Sequence, residues 1–308
     1  MKKILILGSS GYIGSYLSYV FKKKYNVITH SRKKIKDKNF NKNIYKKITG
    51  DIRKSKTIEK IVNLKSDYII FTISLNHFES EKNLKLSMEN NYYSLENLIK
   101  NIIKKNLKTK IIYFSTMQVY GRTYRKNIIN ESYPKKINNI YSMTHSMCED
   151  LLLKNNNKVK SYSLRLSNSF GMPILKKINC WWLVMNDFCR SAVKNKEILI
   201  KSDGSALRDF ISLKDISRIV DKLLRKDFSY SIINVCSGKT YSIKEIANRI
   251  SKSSYFKKKI LVKIMKKNNN KKIKKFKYDT KLIKRLGISS FTNIDLQIRD
   301  FLYKINNN

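Results

Sequence analysis

Gly8, Gly11 and Gly14 stand at three-residue intervals just after an apolar run, residues 4–7. Glycines so spaced have separate tasks where a dinucleotide binds. The first permits a tight turn, the second lets the backbone approach a pyrophosphate, and the third lets a helix pack closely on a strand. The unpaired N–H groups at the start of that helix then face the phosphates. The spacing is G-x-x-G-x-x-G and not the commoner G-x-G-x-x-G. A second group belongs to the same chemistry. In NAD sites an Asp or Glu ~20 residues past the glycines holds the ribose 2′-hydroxyl, and the segment His30-Ser31-Arg32-Lys33-Lys34 contains neither. Arg32 and its lysine neighbours can instead receive a 2′-phosphate, which favours NADP over NAD; the alternative is that they are ordinary surface cations of a basic chain.

These residues need a strand, a turn and a helix to hold them. Residues 4–7, apolar on both sides, suit a strand buried in a parallel sheet, and Tyr16, Leu17, Val20 and Phe21 give the next segment an apolar helical face. Further strands are expected at residues 26–29, 44–48, 67–73, 111–114, 163–166 and 232–235, with helices at 90–105, 241–250 and, last in the chain, 279–287. Alternating strand and helix patterns predict parallel βα units. Ser115 and Thr116 fall at the C-terminal end of the fifth strand, where open α/β sheets place ligands. Residues 257–277, rich in Lys and Asn, read as a poorly packed edge strand with a solvated turn, and residues 306–308 as a frayed tail.

Composition narrows the class. A chain of 308 residues can bury a full core, and no run approaches the ~20 apolar residues of a membrane span. The opening Met-Lys-Lys-Ile-Leu-Ile-Leu imitates a signal peptide, but its apolar part ends in the glycine turn without a small-residue cleavage pattern. A cytoplasmic protein is expected. Cys148, Cys180, Cys189 and Cys236 have no C-x-x-C spacing, so free thiols are expected and neither a disulfide framework nor a metal site. The net charge of +44 invites a nucleic-acid reading. Lysine, however, greatly outnumbers arginine and is spread over almost every segment, with no recognised nucleic-acid module. Non-specific, salt-dependent attraction to polyanions is expected, without a specific nucleic-acid partner.

Seven segments in order carry a family resemblance: Gly8-x-x-Gly11-x-x-Gly14; Gly50-Asp51-Ile52; Asn91 through Asn97-Leu98; Phe114 to Gly121; Tyr141-Ser142-Met143-Thr144-His145; Leu164 to Gly171; and Arg208-Asp209-Phe210-Ile211. With them the chain resembles the extended short-chain dehydrogenases/reductases of the nucleotide-sugar epimerase/dehydratase type. The resemblance implies an NAD(P)-dependent enzyme that transfers a hydride to or from a nucleotide-linked sugar, in surface-polysaccharide precursor synthesis. It implies a doubly wound α/β (Rossmann) sheet in residues 1–170 and a smaller substrate-binding part in 171–308, partly interleaved with the sheet. The absence of a Pro/Gly/Ser-rich linker agrees with two halves sharing one cleft. Gly8, Gly11, Tyr12, Ile13, Gly14, Asp51 and Ile52 correspond to cofactor-binding positions. The helices starting near Asn91 and Tyr141 correspond to those of a four-helix homodimer interface.

By the same resemblance Thr116 and Tyr141 are the catalytic hydroxyls. A phenol within hydrogen-bond reach of the reacting oxygen can give or take the proton that accompanies the hydride. The bland alternative is a strand-end threonine and a structural helix tyrosine. The family lysine that follows the tyrosine by one helical turn is replaced by His145, which would meet the cofactor ribose with Tyr141. An imidazole with a reference pKa of about 6.5 is mostly neutral at pH 7 and is not assured to activate a phenol. Three readings follow: a working enzyme in which His145 substitutes, protonated by its surroundings; a reductase in which neutral Tyr141 acts as an acid; and a non-catalytic cofactor-binding sensor or scaffold.

Asn168 and Arg208 match positions that contact the substrate's diphosphate, a task suited to a guanidinium fork. The alternative for Arg208 is an ion pair with Asp209 or Asp215. Trp181 and Trp182 are expected in a core or an interface rather than stacked on a ligand.

Overall fold

The computed structural model describes residues 1–121, 127–265 and 275–307. One sheet contains seven parallel strands: β1 (Lys3–Leu7), β2 (Asn26–Ser31), β3 (Lys46–Thr49), β4 (Tyr68–Phe71), β5 (Lys110–Thr116), β6 (Ser161–Leu166) and β7 (Ile232–Val235). Their order across the sheet is β7-β6-β5-β4-β1-β2-β3. The chain winds outward from β1 to β3, returns to the far side of β1 and proceeds to β7, which is the doubly wound arrangement expected. Leu7 of β1 lies opposite Phe71 of β4, so a crevice opens above these strand ends, at the point where the winding reverses.

Two apolar layers hold the sheet. Side chains alternate between faces along a strand, and Ile4 and Ile6 enter one core with Leu17, Phe21 and Ile219, whereas Leu5 and Leu7 enter the other with Ile58, Leu98 and Leu152. Each such side chain, fully withdrawn from water, contributes about 1.5–3 kcal/mol. The first core is closed by helices Tyr12–Phe21 and Leu213–Arg225, the second by Ser55–Val62, Ser94–Lys104 and Ile140–Lys154. A third core joins helices Val184–Lys194, Ile243–Ser251 and Ile294–Asn306 in the C-terminal half. A small three-stranded sheet, with Leu207–Ser212 between Asn168–Phe170 and Thr240–Ser242, links that half to the crevice.

Several boundaries differ from the sequence expectation. Residues 90–105 are preceded by a π-helical turn, Met88–Tyr93, before the α-helix Ser94–Lys104. Helix Lys281–Arg285 is not the last, because Ile294–Asn306 follows it. That helix is opened by Asn293, whose side chain accepts from Asp295 N and Leu296 N, and polar residues such as Gln297 and Arg299 interrupt its apolar pattern. Within 257–277, Leu261–Ile264 pairs in parallel with Glu197–Ile200; the expected solvated turn falls on residues 266–274, outside the described residues, as does Asn308 of the expected frayed tail. All four cysteines are buried free thiols.

Candidate active site

The glycine turn is closed on itself and shaped around its missing side chains. Gly8 N and Ser9 N donate to His30 O at 3.2 and 2.9 Å, and Gly11 N to Gly8 O at 2.9 Å. Gly8 has φ +86°, and a Cβ on Gly14 would lie 2.3 Å from Gly8 O and 2.7 Å from Thr72 Oγ1. Helix Tyr12–Phe21 therefore starts against the strand ends with Gly11 as its N-cap and no side chain covering its first N–H groups. Those groups are the orphan donors of any helix start, and Gly11, Tyr12, Ile13 and Gly14 line a cleft of about 1770 Å³. The cradle and its uncapped donors fit a dinucleotide pyrophosphate. Gly8 does not line the cleft; its carbonyl is occupied beneath Gly14, so its part is to form the turn.

Two further cofactor positions differ from expectation. Asp51 and Ile52 do not line the cleft. The Arg53 guanidinium holds Asp51 through three contacts, the shortest 2.6 Å from Nη2 to Oδ2, and also reaches Glu89 at 3.1 Å. This pairing draws the Asp51 carboxyl down to about 2. Ile52 is a core residue packed beside Leu5 and Leu7. Arg32, in contrast, lines the cleft with Lys33 and Lys34, on a turn folded back by the Ser31 hydroxyl donating to Lys33 O at 2.7 Å.

Thr116 ends β5, and Tyr141 occupies the first turn of helix Ile140–Lys154, which Asn139 caps by accepting from Ser142 N at 2.7 Å. The two meet at the cleft wall. Burial raises the Tyr141 phenol to about 12, with neighbouring Thr116 a smaller influence in the opposite direction. Two imidazoles pack edge-on near the phenol ring: His145 with ring centres 4.5 Å away and planes at 71°, and His77 at 6.3 Å and 88°.

His145 is 2% exposed. Its Nδ1 lies 2.6 Å from the Tyr113 hydroxyl and its Nε2 3.2 Å from Ser74 Oγ. Burial lowers its pKa to about 4, with Glu149 a smaller opposing influence. Burial thus works against the expectation that the surroundings protonate His145 and favours a neutral imidazole at pH 7. Sequence reading missed Tyr113, Ser74 and His77. Tyr113 lies within a strand run that reads as core, and Ser74 and His77 lie in a loop and short helix with no spacing signal.

On the opposite wall, Asn168 Nδ2 donates to Asp209 O at 3.0 Å, and Arg208 is exposed at the cleft with one bond from Nη1 to Leu207 O at 2.8 Å. The ion-pair alternative for Arg208 does not hold. The buried Asp209 carboxylate accepts from Ser167, Ser237 and Lys239, and Asp215 pairs with Arg218. Burial raises the Asp209 carboxyl to about 6 against those hydrogen bonds. Trp181 packs under Arg190 with the guanidinium 5.0 Å from its ring. Trp182 is half exposed at the cleft, edge-on to Phe78 at 6.0 Å. Among the described residues no cluster of His, Cys, Asp or Glu could hold a metal ion, and no helix is long and apolar enough to cross a membrane.

A glycine-cradled helix start facing a Thr–Tyr pair across the switch point of a doubly wound sheet is the plan of the extended short-chain dehydrogenases/reductases. The chain belongs to the NAD dependent epimerase/dehydratase family, whose sequence profile matches residues 4–236. GDP-6-deoxy-D-talose 4-dehydrogenase of Aggregatibacter actinomycetemcomitans is 25% identical over 253 residues, 79% of this chain and 77% of that protein. The UDP-N-acetylglucosamine 4-epimerase of Methanobrevibacter ruminantium, solved with UDP-N-acetylmuramic acid, superposes with a TM-score of 0.84 over 98% of this chain and 97% of its own, at 23% identity. MoeE5, solved with UDP-glucuronic acid and NAD, gives a TM-score of 0.81 at 16% identity, over 98% of each chain.

Proposed function

We propose that this chain reduces a keto group on a nucleotide-linked sugar with NAD(P)H, in the cytoplasm, within surface-polysaccharide precursor synthesis. One observation carries this reading: Tyr141, which lines the cleft with Thr116, stands beside a neutral imidazole where the family has an ammonium. Without that cation the phenol keeps its proton, and a protonated phenol is an acid. A bound nicotinamide supplies the hydride to the carbonyl carbon. Tyr141 gives its proton to the carbonyl oxygen, Thr116 holds the same oxygen, and the phenolate left on Tyr141 is reprotonated from solvent. Residues 1–170 hold the cofactor, and 171–308 supply Arg208, which with Asn168 receives the diphosphate.

The uncharged His145 also favours a second reading, a cofactor-binding sensor or scaffold with little chemistry. The two separate in one experiment. NADPH and NADH are titrated by fluorescence, and the protein is then offered 4-keto and 4-hydroxy nucleotide sugars. Turnover of the keto-sugar supports the reductase; cofactor binding without turnover of any of them leaves the sensor, and binding of neither cofactor overturns both.

Arg32 with Lys33 and Lys34 supports a preference for NADP. A charge-assisted bond from a guanidinium to a phosphate contributes about 1.5–3 kcal/mol, so Arg32→Asp is expected to weaken NADPH ~10- to 100-fold and NADH little. Equal losses for the two cofactors would remove the 2′-phosphate assignment. A homodimer through helices Ser94–Lys104 and Ile140–Lys154 is proposed from the resemblance, and the exposed Tyr93 and Leu153 beside and on them support it. Sedimentation showing only monomer at micromolar concentration would refute it.

A further inference from the structure

We propose that Ser74 and Tyr113 are positioning residues that clamp His145 in a single neutral tautomer, Nε2–H, and that this hydroxyl–imidazole–hydroxyl clamp stands where the family uses a lysine. The inference rests on the reductase reading for its kinetic part only.

The hydrogen bonds around the ring fix the proton. Ser74 Oγ donates to Leu75 O at 2.8 Å, which uses its single hydrogen. Toward His145 Nε2, 3.2 Å away, it can only accept, so Nε2 carries the proton. A neutral imidazole has one N–H, which leaves Nδ1 as the acceptor for the Tyr113 hydroxyl at 2.6 Å. The same pattern, one ring nitrogen fixed by what the other bonds, sets histidine tautomers generally.

The three groups arrive from separate elements. His145 is one turn beyond Tyr141 on helix Ile140–Lys154, Tyr113 is three residues before Thr116 on β5, and Ser74 follows β4. The clamp thus ties the strand that carries Thr116 to the helix that carries Tyr141. It also fixes the ring that packs against the phenol at 4.5 Å. Asn91, in the π-helical turn, braces the same helix against the segment of Ser74: its Oδ1 accepts from Leu75 N at 2.9 Å and its Nδ2 donates to Thr144 Oγ1 at 3.0 Å.

The ionisable groups around His145 are Tyr141 and Glu149 from its own helix and Tyr113 from β5. Glu149 is committed to Arg165, Ser115 and Lys135. Among the described residues no carboxylate bonds the imidazole, consistent with the downward shift that burial gives it. Tyr113 is 1% exposed and sealed from the cleft, whereas Ser74 is exposed and lines it. With its hydrogen given to Leu75 O, Ser74 offers the cleft a lone pair and no donor.

The test has two arms on the full chain. In the first, the protein is labelled with ¹⁵N-histidine and the three histidines are assigned with the variants His30→Gln, His77→Gln and His145→Gln. His145 is expected to show a protonated Nε2 and a bare Nδ1, with no titration between pH 6 and 8; a bare Nε2, or titration in that range, overturns the clamp. In the second, kcat and KM are measured for Tyr113→Phe and Ser74→Ala in the wild type and in a His145→Lys background. Loss of one positioning hydrogen bond is expected to lower kcat ~10-fold in the wild type and to have little effect where lysine replaces the ring. An equal loss in both backgrounds makes the hydroxyls merely structural and overturns the proposal. Should Tyr113→Phe fail to fold, the exposed Ser74→Ala carries the same comparison. Absence of turnover in the wild type refutes the reductase reading, while the tautomer is still decided by the first arm.

Discussion

Tyr141→Phe is expected to lower kcat for reduction of a keto-sugar nucleotide by ~10³-fold, within the range of about 10²–10⁴ that a positioned proton donor contributes, and to weaken NADPH binding far less. The substitution removes one oxygen from a ring held by His145, His77 and the capped start of its helix. Packing is preserved and the loss is chemical. Because burial places the phenol at about 12, the acid form persists through neutral pH, so kcat for reduction should stay flat from pH 6 to 9 if Tyr141 is the group that sets it. In the family arrangement an ammonium draws the phenol down and favours the base. Stopped-flow or steady-state loss of NADPH absorbance measures both effects. Undiminished turnover in Tyr141→Phe would refute every catalytic reading of this cleft.

The largest effect on stability is expected at the buried pair of Glu149 and Arg165. Both side chains are essentially withdrawn from water, at 0% and 2% exposure. Arg165 grips the carboxylate in a fork, Nε to Oε1 at 2.9 Å and Nη2 to Oε2 at 2.7 Å. Ser115 adds a bond at 2.6 Å and Lys135 an ion pair at 3.2 Å, and Arg165 Nη1 continues to the Tyr120 hydroxyl at 2.7 Å. Removing one member leaves a charge buried without its partner, which destabilises by about 3–5 kcal/mol. Arg165→Met should therefore lower the urea midpoint sharply, and Arg165→Met combined with Glu149→Leu should recover most of it, because a well-packed apolar pair avoids the desolvation of both charges. Failure of the double variant to recover would assign the loss to shape and not to charge.

Acid should reproduce part of this effect. Burial alone would raise the Glu149 carboxyl, but the bond and charge of Arg165, with Ser115 and Lys135, outweigh it and the pKa is lowered. A carboxyl with a depressed folded-state pKa contributes stability that is present above its unfolded value, about 4.3, and is lost as pH falls through the folded one. Ser115 precedes Thr116, and Glu149 shares the helix of Tyr141, so the same ion pair that stabilises the fold sets the strand of Thr116 against the helix of Tyr141.

The parts of this molecule that sequence makes legible are those decided by local pattern. The run at residues 4–7 reads as a strand because every side chain in it is apolar, and the structure buries them on alternating faces in two cores. The glycine turn reads correctly for a similar reason, since a Cβ at Gly14 has no room. Helix Ile294–Asn306 is not legible, because its face is completed by two other helices of the third core and not by its own periodicity. Asp51 misleads because its partner is Arg53, only two residues away, and no spacing rule marks such a pair. His145 is visible as a substitution, but its meaning depends on hydroxyls 32 and 71 residues distant in the chain. No spacing rule reaches them.

The position of β7 bears on how the chain is made. That strand comes from Ile232–Val235 and pairs with β6, Ser161–Leu166, long after β6 has left the ribosome. During synthesis, with domains forming from the N-terminus as they emerge, a six-stranded sheet must wait with the N–H and C=O groups of β6 unpaired along its outer edge. An open edge of this kind invites pairing with another nascent copy. The N-terminal sheet is therefore not an independent cassette that is finished before the second half of the chain appears; it is completed by its own successor.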